Sequence, residues 1–301
     1  MTRDFSLGDS SVLLERAERH LAGPSTDPVQ PRLAATVILV RDAGQGPVEV
    51  FLMWRTATME FAPSTIVFPG GAVDRRDARP DLPWAGPSVT EWARRLRCDP
   101  VSAQLLVAAA VRELFEESGV LLASRADAGP QARLAEVSDP SWDEMRVRLV
   151  EREVGLAEVL ITHGLALRSD LLVAHAHWIT PPFERRRYDT HFFAAAMPAG
   201  QEARHLSTEA DEADWADPAR VVADYAAGRA VLLPPTLVCL EELAAAESAA
   251  AYLAGPRQMV PIMPVLAREA DGSVVLRVAE LGSAATADVA PRGGRPGVCG
   301  A

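Results

Sequence analysis

One segment, residues 99–119, carries the clearest signs of a helix that must pack against another layer. Asp99 followed by Pro100 favours a helix start, because aspartate caps free backbone amides and proline fits the first helical turn. Gly119 ends the helix, since glycine readily adopts the left-handed conformation that closes helices. Between these ends, apolar residues recur at helical spacing at Val107, Ala110, Val111 and Leu114. Such a stripe has to be buried, and we expect it to pack on a β-sheet.

Short apolar segments on both sides of this helix predict the sheet that it needs. Strands are expected at Ala34–Val40, Val48–Trp54, Ser64–Phe68, Leu171–Ile179 and Thr190–Met197. Further helices are expected at Ser11–Leu21, Ser88–Arg97, Pro140–Gly155 and Pro235–Ala254. No Gly-x-Gly-x-x-Gly run follows a strand, so a dinucleotide-binding fold has no support. The pattern predicts an α/β or α+β sandwich with a mixed sheet, and not a doubly wound parallel sheet.

The composition excludes several classes of function. The formal net charge is −11, so the surface as a whole repels nucleic acid, and we expect no nucleic-acid partner. All 30 basic residues are arginine, which excludes a Walker-type phosphate loop and a lysine Schiff base. No apolar run approaches the roughly 20 residues of a membrane span, and the first residues lack the apolar core of a secretory signal. We therefore expect a cytoplasmic protein with no membrane partner.

Three glutamates near the end of the 99–119 helix need an explanation. Glu113, Glu116 and Glu117 are helical neighbours, so their carboxylates lie close together and repel one another. They also lie near the helix C-terminus, where the helix dipole disfavours negative charge. A hard divalent cation such as Mg²⁺, with Mn²⁺ as the alternative, would offset both costs. A solvated acidic helix face is the competing interpretation.

The segment Arg112–Val120 resembles the second half of the Nudix box, G-x5-E-x7-R-E-U-x-E-E-x-G-U, where U is a bulky apolar residue. Every fixed position of that half is matched. Gly71 matches the glycine that opens the box. Asp77 stands in place of the first glutamate, and 34 residues separate it from Arg112 where the box has seven. The role of Asp77 therefore stays open.

A longer Nudix subgroup, which includes peroxisomal acyl-CoA diphosphatases, also carries an insertion between the two halves of the box. Five segments resemble that subgroup in the same order: Arg55–Gly71, His177–Pro181, Arg186–Phe193, Trp215 and Leu232–Thr236. The resemblance implies a Nudix-type α/β/α sandwich with extra helical segments. We expect an N-terminal extension over 1–29, a Nudix domain over 30–281 with an insertion at 78–100 and a helical addition at 135–165, and a disordered tail over 282–301.

The resemblance also implies how a metal is held. Glu113, Glu116 and Glu117 would bind Mg²⁺ together with a backbone carbonyl at Gly70. Glu212 is the candidate for a further ligand, because it precedes a tryptophan at a spacing that often marks one. An exposed surface charge is the alternative for this glutamate.

The implied catalytic residues are Arg112, Glu113, Glu116 and Glu117. Arg112 would pair with a glutamate and hold it in position, because its guanidinium matches a carboxylate. The metal would bridge the diphosphate oxygens and orient an attacking water. The carboxylate that takes the water's proton stays open among Glu116, Glu117, Glu209 and Glu212.

Substrate contacts are implied for Arg55, Phe68, Gly71, Arg186 and Arg187. The run Arg185–Arg187 could bind an additional phosphate, such as the 3′-phosphate of CoA, although a solvated basic turn is the alternative. On the first interpretation, Arg187→Ala weakens turnover of CoA more than that of dephospho-CoA. The Arg-x3-Gly-x3-Phe-Pro-Gly-Gly signature of shorter CoA-cleaving Nudix enzymes is absent, since Glu60 and Ser64 occupy its first two positions.

His175 and His177 alternate along a predicted strand, which would place both side chains on one face. A catalytic zinc ion needs a third protein ligand, and the sequence shows none beside this pair. Packed or hydrogen-bonded histidines are therefore favoured over a metal pair.

Together these features predict a Mg²⁺-dependent hydrolase that cleaves the diphosphate linkage of a nucleoside diphosphate joined to another group. CoA or an acyl-CoA is the leading substrate, and ADP-ribose or a dinucleotide is the alternative. A Nudix domain that only senses a nucleotide is a third interpretation. The expected partner is a small nucleotide, and a homodimer is possible.

Overall fold

A computed structural model describes residues 2–7, 11–23, 27–44, 46–56, 64–129, 132–206, 210–255, 257 and 259–279. The predicted tail over 282–301 lies outside the described residues, as do Glu60 and Glu209. The strands are β1 (Thr2–Ser6), β2 (Arg32–Arg41), β3 (Glu49–Arg55), β4 (Ile66–Val67), β5 (Gly70–Ala72), β6 (Trp84–Ala85), β7 (Ala123–Arg125), β8 (Leu165–Arg168), β9 (Val173–Ile179), β10 (Tyr188–Ala196), β11 (Ala210–Ala216), β12 (Pro261–Ile262), β13 (Val265–Arg268) and β14 (Val274–Ala279). The α-helices are α1 (Ser11–Ala22), α2 (Val89–Leu96), α3 (Pro100–Ser118), α4 (Pro140–Val150), α5 (Leu156–Thr162), α6 (Pro218–Ala226), α7 (Pro234–Ala244) and α8 (Ala249–Ala254).

A mixed sheet of eight strands forms the centre of the structure. Its main order is β11-β3-β2-β10-β9-β12, with β4 paired to β3 and β5 paired to β2. The two long central strands, β2 and β10, run parallel, whereas β2 and β3 form the antiparallel pair that the sequence predicts. The prediction of a mixed sheet, and not a doubly wound parallel one, is confirmed.

Helix α3 lies on one face of this sheet. Its N-cap, Asp99, accepts a hydrogen bond from the Ser102 amide at 3.0 Å, and Gly119 closes the helix with φ of 75°. The predicted stripe Val107, Ala110, Val111 and Leu114 has no exposed surface and packs in a core with the β2 side chains Ala35, Val37 and Leu39. The alternate β2 side chains point the other way, to a second core that includes residues of α6, α7 and α8. The expected α/β/α sandwich is confirmed.

The segment between the halves of the box packs into the core between α3 and the sheet. Helix α2 packs beside α3, and Trp92 is fully buried with its ring edge-on to Phe193, 5.8 Å between centroids. Strand β6 pairs with β8, which also pairs with β7, to give a separate three-stranded sheet. Helices α4 and α5 occupy the predicted helical addition.

The N-terminal residues join the C-terminal part of the described chain. Helix α1 forms where the sequence predicts it, but β1, which the sequence analysis did not anticipate, pairs antiparallel with β14 from Thr2 to Ser6. Strand β13 completes this three-stranded sheet. The predicted extension over 1–29 is therefore held by a sheet whose other strands come from residues 265–279.

Two helix predictions were too long. The predicted helix Pro140–Gly155 ends at Val150, and Arg152 two residues later has the left-handed φ of 61°. The predicted helix Pro235–Ala254 is two helices, because Ser248 starts a new one by accepting a hydrogen bond from the Ala251 amide at 3.0 Å. None of the helices in the described ranges is long and apolar enough to cross a membrane.

The end of α3 provides a test of local stability. An alanine at Gly119 would hold a left-handed φ and bring its Cβ to 3.0 Å from Leu206. We expect Gly119→Ala to lower the free energy of unfolding by about 1–2 kcal/mol, the cost of that conformation for a residue with a Cβ. Gly129→Ala is the control, since no atom lies within 4 Å of its built Cβ and its φ is not positive. Equal urea midpoints for the two variants would contradict the prediction.

Candidate active site

The C-terminal half of α3 meets the Gly70-Gly71 turn at the start of β5. Strand β5 pairs with β2, with Gly70 opposite Thr36 and Gly71 opposite Ala35. A Cβ on Gly70 would lie 2.6 Å from the Ala35 carbonyl oxygen, and one on Gly71 would lie 2.5 Å from the Glu113 Oε1. Only glycine lets the backbone approach the neighbouring strand and the glutamate this closely. The turn is therefore shaped to bring backbone beside the acidic end of the helix.

Gly70 contacts the acidic cluster directly. Its amide donates a hydrogen bond of 2.6 Å to Glu117 Oε2, which orients that carboxylate across the gap between helix and turn. The resemblance implied a role for the Gly70 carbonyl, and this structure adds a role for its amide. A metal contact by the carbonyl stays a prediction.

Arg112 lies at the centre of the cluster and is 7% exposed. Its Nη1 donates to Glu113 Oε1 at 2.7 Å and to Glu116 Oε1 at 3.1 Å, as the predicted positioning role requires. Its Nη2 donates to the Ala72 carbonyl at 3.0 Å, on the far side of the turn. One guanidinium thus orients two glutamates and ties them to β5.

Asp77 joins this network despite the 34 residues between it and Arg112. Its carboxylate accepts two bonds from the Arg112 Nε, at 3.1 and 3.2 Å, and one from Nη2 at 3.1 Å. It also accepts from the Asp74 amide at 2.9 Å, which closes a capping box at a short 3₁₀ turn. Asp77 is 2% exposed, so its role is to hold Arg112 in place.

Four buried or half-buried carboxylates lie near the end of α3. Arg112 donates to those of Asp77, Glu113 and Glu116, whereas Glu117 accepts from the Gly70 amide. Arg146 and Arg152 add positive charge near Glu116. Burial raises the pKa of Glu113 and of Glu116, and Arg112 only partly opposes it. A hard divalent cation would compensate the remaining charge, and the oxygen donors present are those that Mg²⁺ and Mn²⁺ prefer. The residues of the cluster therefore fit such an ion.

Arg146 is a part of the site that the sequence analysis missed. It is buried, and its Nη1 donates to the carbonyls of Glu116, at 2.6 Å, and Leu206, at 3.0 Å. A cation at the C-terminus of α3 offsets the helix dipole beside the glutamates. A lone arginine in a predicted helical addition gave no signal of this contact.

Glu212 lies away from the cluster. It is exposed on the edge strand β11 and pairs in register with Trp54 of β3. Cross-strand partners share a face of the sheet, and Trp54 packs with the core on the α7 side, opposite α3. The structure therefore does not support Glu212 as a metal ligand, and the alternative of a surface charge fits better.

Two predicted substrate contacts are internal. Phe68 is 3% exposed and packs in the core on the α7 side. Arg187 is also buried, and its guanidinium donates to the carbonyls of Thr180, at 2.9 Å, and Val29, at 2.7 Å. The structure therefore replaces both predicted substrate roles with structural ones. Arg187→Ala is no longer a specific test of phosphate binding.

The other predicted substrate residues are accessible. Arg186 is exposed on the turn before β10, and Arg55 is half-buried at the end of β3, where its amide donates to the Thr65 carbonyl at 3.0 Å. Gly71 lies in the cluster itself. Substrate binding by these three residues stays a prediction.

The prediction for His175 is confirmed, but the face assigned to the pair is wrong. A β-bulge at His175 shifts the register of β9 against β10. His175 therefore lies in the α7 core, where its Nε2 contacts the Tyr252 hydroxyl at 2.9 Å and Glu242 at 3.1 Å. His177 points to the opposite face and pairs with His191.

The Asp77–Arg112 contact provides a test of the network. We expect Asp77→Asn to lower the free energy of unfolding by about 3 kcal/mol, the lower end for a broken buried ion pair, because Arg112 keeps its two glutamates. Asp81→Asn is the control, since Asp81 forms an exposed pair with Arg79 and should change stability little. Urea denaturation measures both. A cost for Asp77→Asn no larger than that of the control would show that Asp77 does not anchor Arg112.

Comparisons with known proteins show what this chain is similar to. A family model described as the NUDT19 Nudix domain matches residues 98–243, a segment that contains α3 and begins after the Gly70-Gly71 turn. A curated protein of Caenorhabditis elegans named "Putative nudix hydrolase 7" is 28% identical over 212 residues, which cover 70% of this chain and 60% of that protein. This chain thus spans less than two thirds of that relative's length.

A solved structure matches over more of its own length. The crystal structure of a NUDIX hydrolase from Alicyclobacillus acidocaldarius superposes with a TM-score of 0.59 at 27% identity, covering 76% of this chain and 99% of the other. This chain is similar to Nudix hydrolases in each of these comparisons and has the α/β fold of that family.

Proposed function

We propose that this protein hydrolyses the diphosphate linkage of a nucleoside diphosphate joined to a second group, with Mg²⁺ as its metal. One observation supports this above the others. Glu113 and Glu116 accept from the Arg112 guanidinium and the neighbouring Glu117 accepts from the Gly70 amide, although burial disfavours the charged form of Glu113. Acidic side chains are placed this way at a cost to stability, and a cation explains why.

The chain's own residues prepare the site for a charged ligand. Arg112 holds Glu113 and Glu116 from one side, while the Gly70 amide holds Glu117 from the other. When bound, the divalent cation neutralises charge on the diphosphate and lowers the pKa of an attacking water. Glu116, the least buried of the three glutamates, is our candidate to accept the proton of that water.

CoA or an acyl-CoA is our leading substrate. Five segments resemble acyl-CoA diphosphatases and occur in the same order. The insertion between the halves of the box also forms regular secondary structure, including α2. Water would add across the P–O–P bridge, giving adenosine 3′,5′-bisphosphate and a 4′-phosphopantetheine that keeps any acyl group. Both products carry a terminal phosphate, and the negative charge they develop calls for the cation described above.

A substrate panel tests the proposal. CoA, an acyl-CoA, dephospho-CoA, ADP-ribose and a diadenosine polyphosphate are each incubated with Mg²⁺, and the products are separated by chromatography. We expect kcat/KM to be highest for CoA or the acyl-CoA, with bisphosphate and phosphopantetheine formed in equal amounts. Preferential cleavage of ADP-ribose or the dinucleotide would reassign the substrate. Tight nucleotide binding with no turnover of any compound would indicate a sensing domain.

Single-site variants test the chemistry. Glu117→Gln keeps an oxygen that can accept the Gly70 hydrogen bond but removes the charge, so we expect kcat to fall at least about 100-fold with the fold preserved. Glu116→Gln should behave similarly if it accepts the proton. Glu212→Gln is the matched control and should keep activity, because it lies on the other face of the sheet. Circular dichroism checks the fold. Full activity in Glu117→Gln would contradict the proposed metal site.

A further inference from the structure

A second group of potential metal ligands lies on strands β9 and β10. The register places His177 directly opposite His191, and Asp189 is two residues before His191 on the same strand. Because side chains alternate along a strand, these three side chains share one face of the sheet. The sequence shows no third ligand beside the His175–His177 pair. The structure replaces His175 in that role with two residues from the neighbouring strand.

The three side chains converge. One ligand atom from each lies within 4.8 Å of the other two. The His177 Nε2 is hydrogen-bonded to Asp189 Oδ1, and the His191 Nδ1 lies 3.9 Å from the same oxygen. The two imidazole rings are stacked with centroids 3.9 Å apart and an angle of 25° between their planes.

His191 lacks the partners that a buried histidine normally has. It is 2% exposed, and neither ring nitrogen makes a hydrogen bond within the part of the chain that the structure describes. The backbone of Leu96 lies nearby but outside hydrogen-bonding geometry. A buried polar atom without a partner is costly and calls for an explanation. His175 shows the contrast, because it is equally buried but has both Tyr252 and Glu242 as partners.

Asp189 is the most accessible of the three side chains and gives an approach from solvent.

We propose that His177, Asp189 and His191 form a binding site for a borderline divalent cation, with Zn²⁺ as the representative ion. Two neutral imidazoles and one carboxylate are a donor set that suits Zn²⁺ and leaves a position for water. The cation would replace the proton that His177 and Asp189 share. A bound metal lies in the plane of each imidazole that coordinates it. Because the two rings are stacked, one of them must rotate about χ2 before both can bind the same ion.

This site is separate from the glutamate cluster but on the same face of the sheet. His191 pairs with Ala35 of β2, and Ala35 pairs with Gly71 of β5. With about 4.8 Å between adjacent strands, His191 and Gly71 are roughly 10 Å apart. The donors differ, because the cluster on α3 offers oxygen only. We therefore expect Mg²⁺ to prefer the glutamates and Zn²⁺ to prefer the histidines.

The experiment is a Zn²⁺ titration of the full chain after chelator treatment, followed by calorimetry. Co²⁺ is used in a parallel titration, because its visible spectrum reports coordination by nitrogen and oxygen. We expect one Zn²⁺ per chain, and at least about a tenfold loss of affinity in His191→Asn and in Asp189→Asn, since even outer-shell changes cost about 10–100-fold. His175→Asn is the matched control, a buried histidine on the same strand that should leave Zn²⁺ affinity unchanged.

Glu117→Gln separates this inference from the proposed function. It should lose diphosphatase activity but retain the high-affinity Zn²⁺ site and the Co²⁺ spectrum. Absence of Zn²⁺ binding in the wild-type chain would overturn the inference, whatever the variants do. Equal affinity in the wild type, His191→Asn and Asp189→Asn would also overturn it, as would loss of the Zn²⁺ site in Glu117→Gln, because the ion would then occupy the glutamate cluster.

Discussion

The buried guanidinium of Arg112 is the contact on which the rest of the active site depends. It donates to Asp77, Glu113 and Glu116 and to the Ala72 carbonyl, so one side chain connects the helix, the β5 turn and the 3₁₀ turn. Moving ions out of water is costly, and only several well-placed hydrogen bonds compensate for it. The planar fork of arginine provides those bonds in fixed directions, which a lysine ammonium does not. Without Arg112, the buried carboxylates of Asp77 and Glu113 would lose the guanidinium that donates to them.

Our proposal that this cluster binds a metal rests on the buried carboxylates that the same arrangement brings together. Hydrogen bonds from Arg112 and the Gly70 amide orient the carboxylates but do not neutralise all of them. Arg146 offsets the helix dipole at the Glu116 carbonyl, yet its charge is directed at backbone and not at the carboxylates. A site that is rigid, acidic and partly dry binds a divalent cation without having to rearrange. Such preorganisation lowers the free energy of unfolding, because buried carboxylates are unfavourable in the unoccupied site.

Most features set by the local geometry of a helix were predicted from the sequence. The directions of individual side chains and the register of paired strands were not. The ends of α3 and its apolar stripe follow from helical geometry, and both are confirmed. Phe68 and Arg187 were assigned to substrate because a motif records residue types and not the direction a side chain takes; both are internal. The bulge at His175 separates it from His177, and no local sequence signal marks a register shift. The acidic strand β11 was missed because an exposed edge strand has little apolar alternation.

The insertion shows why a motif can be broken in sequence and intact in space. The Arg112–Glu117 half of the box lies within one helix, so its spacing is set by helical geometry and cannot change. The Gly71–Asp77 half meets that helix through contacts between side chains and backbone, such as those of Asp77 and the Ala72 carbonyl with Arg112 and of Gly70 with Glu117. Lengthening the connection between them costs entropy that grows only slowly with length. Helix α2 offsets that cost by burying Trp92 and Leu96 in the core beside α3. Helical geometry therefore fixes the sequence spacing of motif residues that lie within one helix. Motif residues on different elements need only to be in contact in the folded chain.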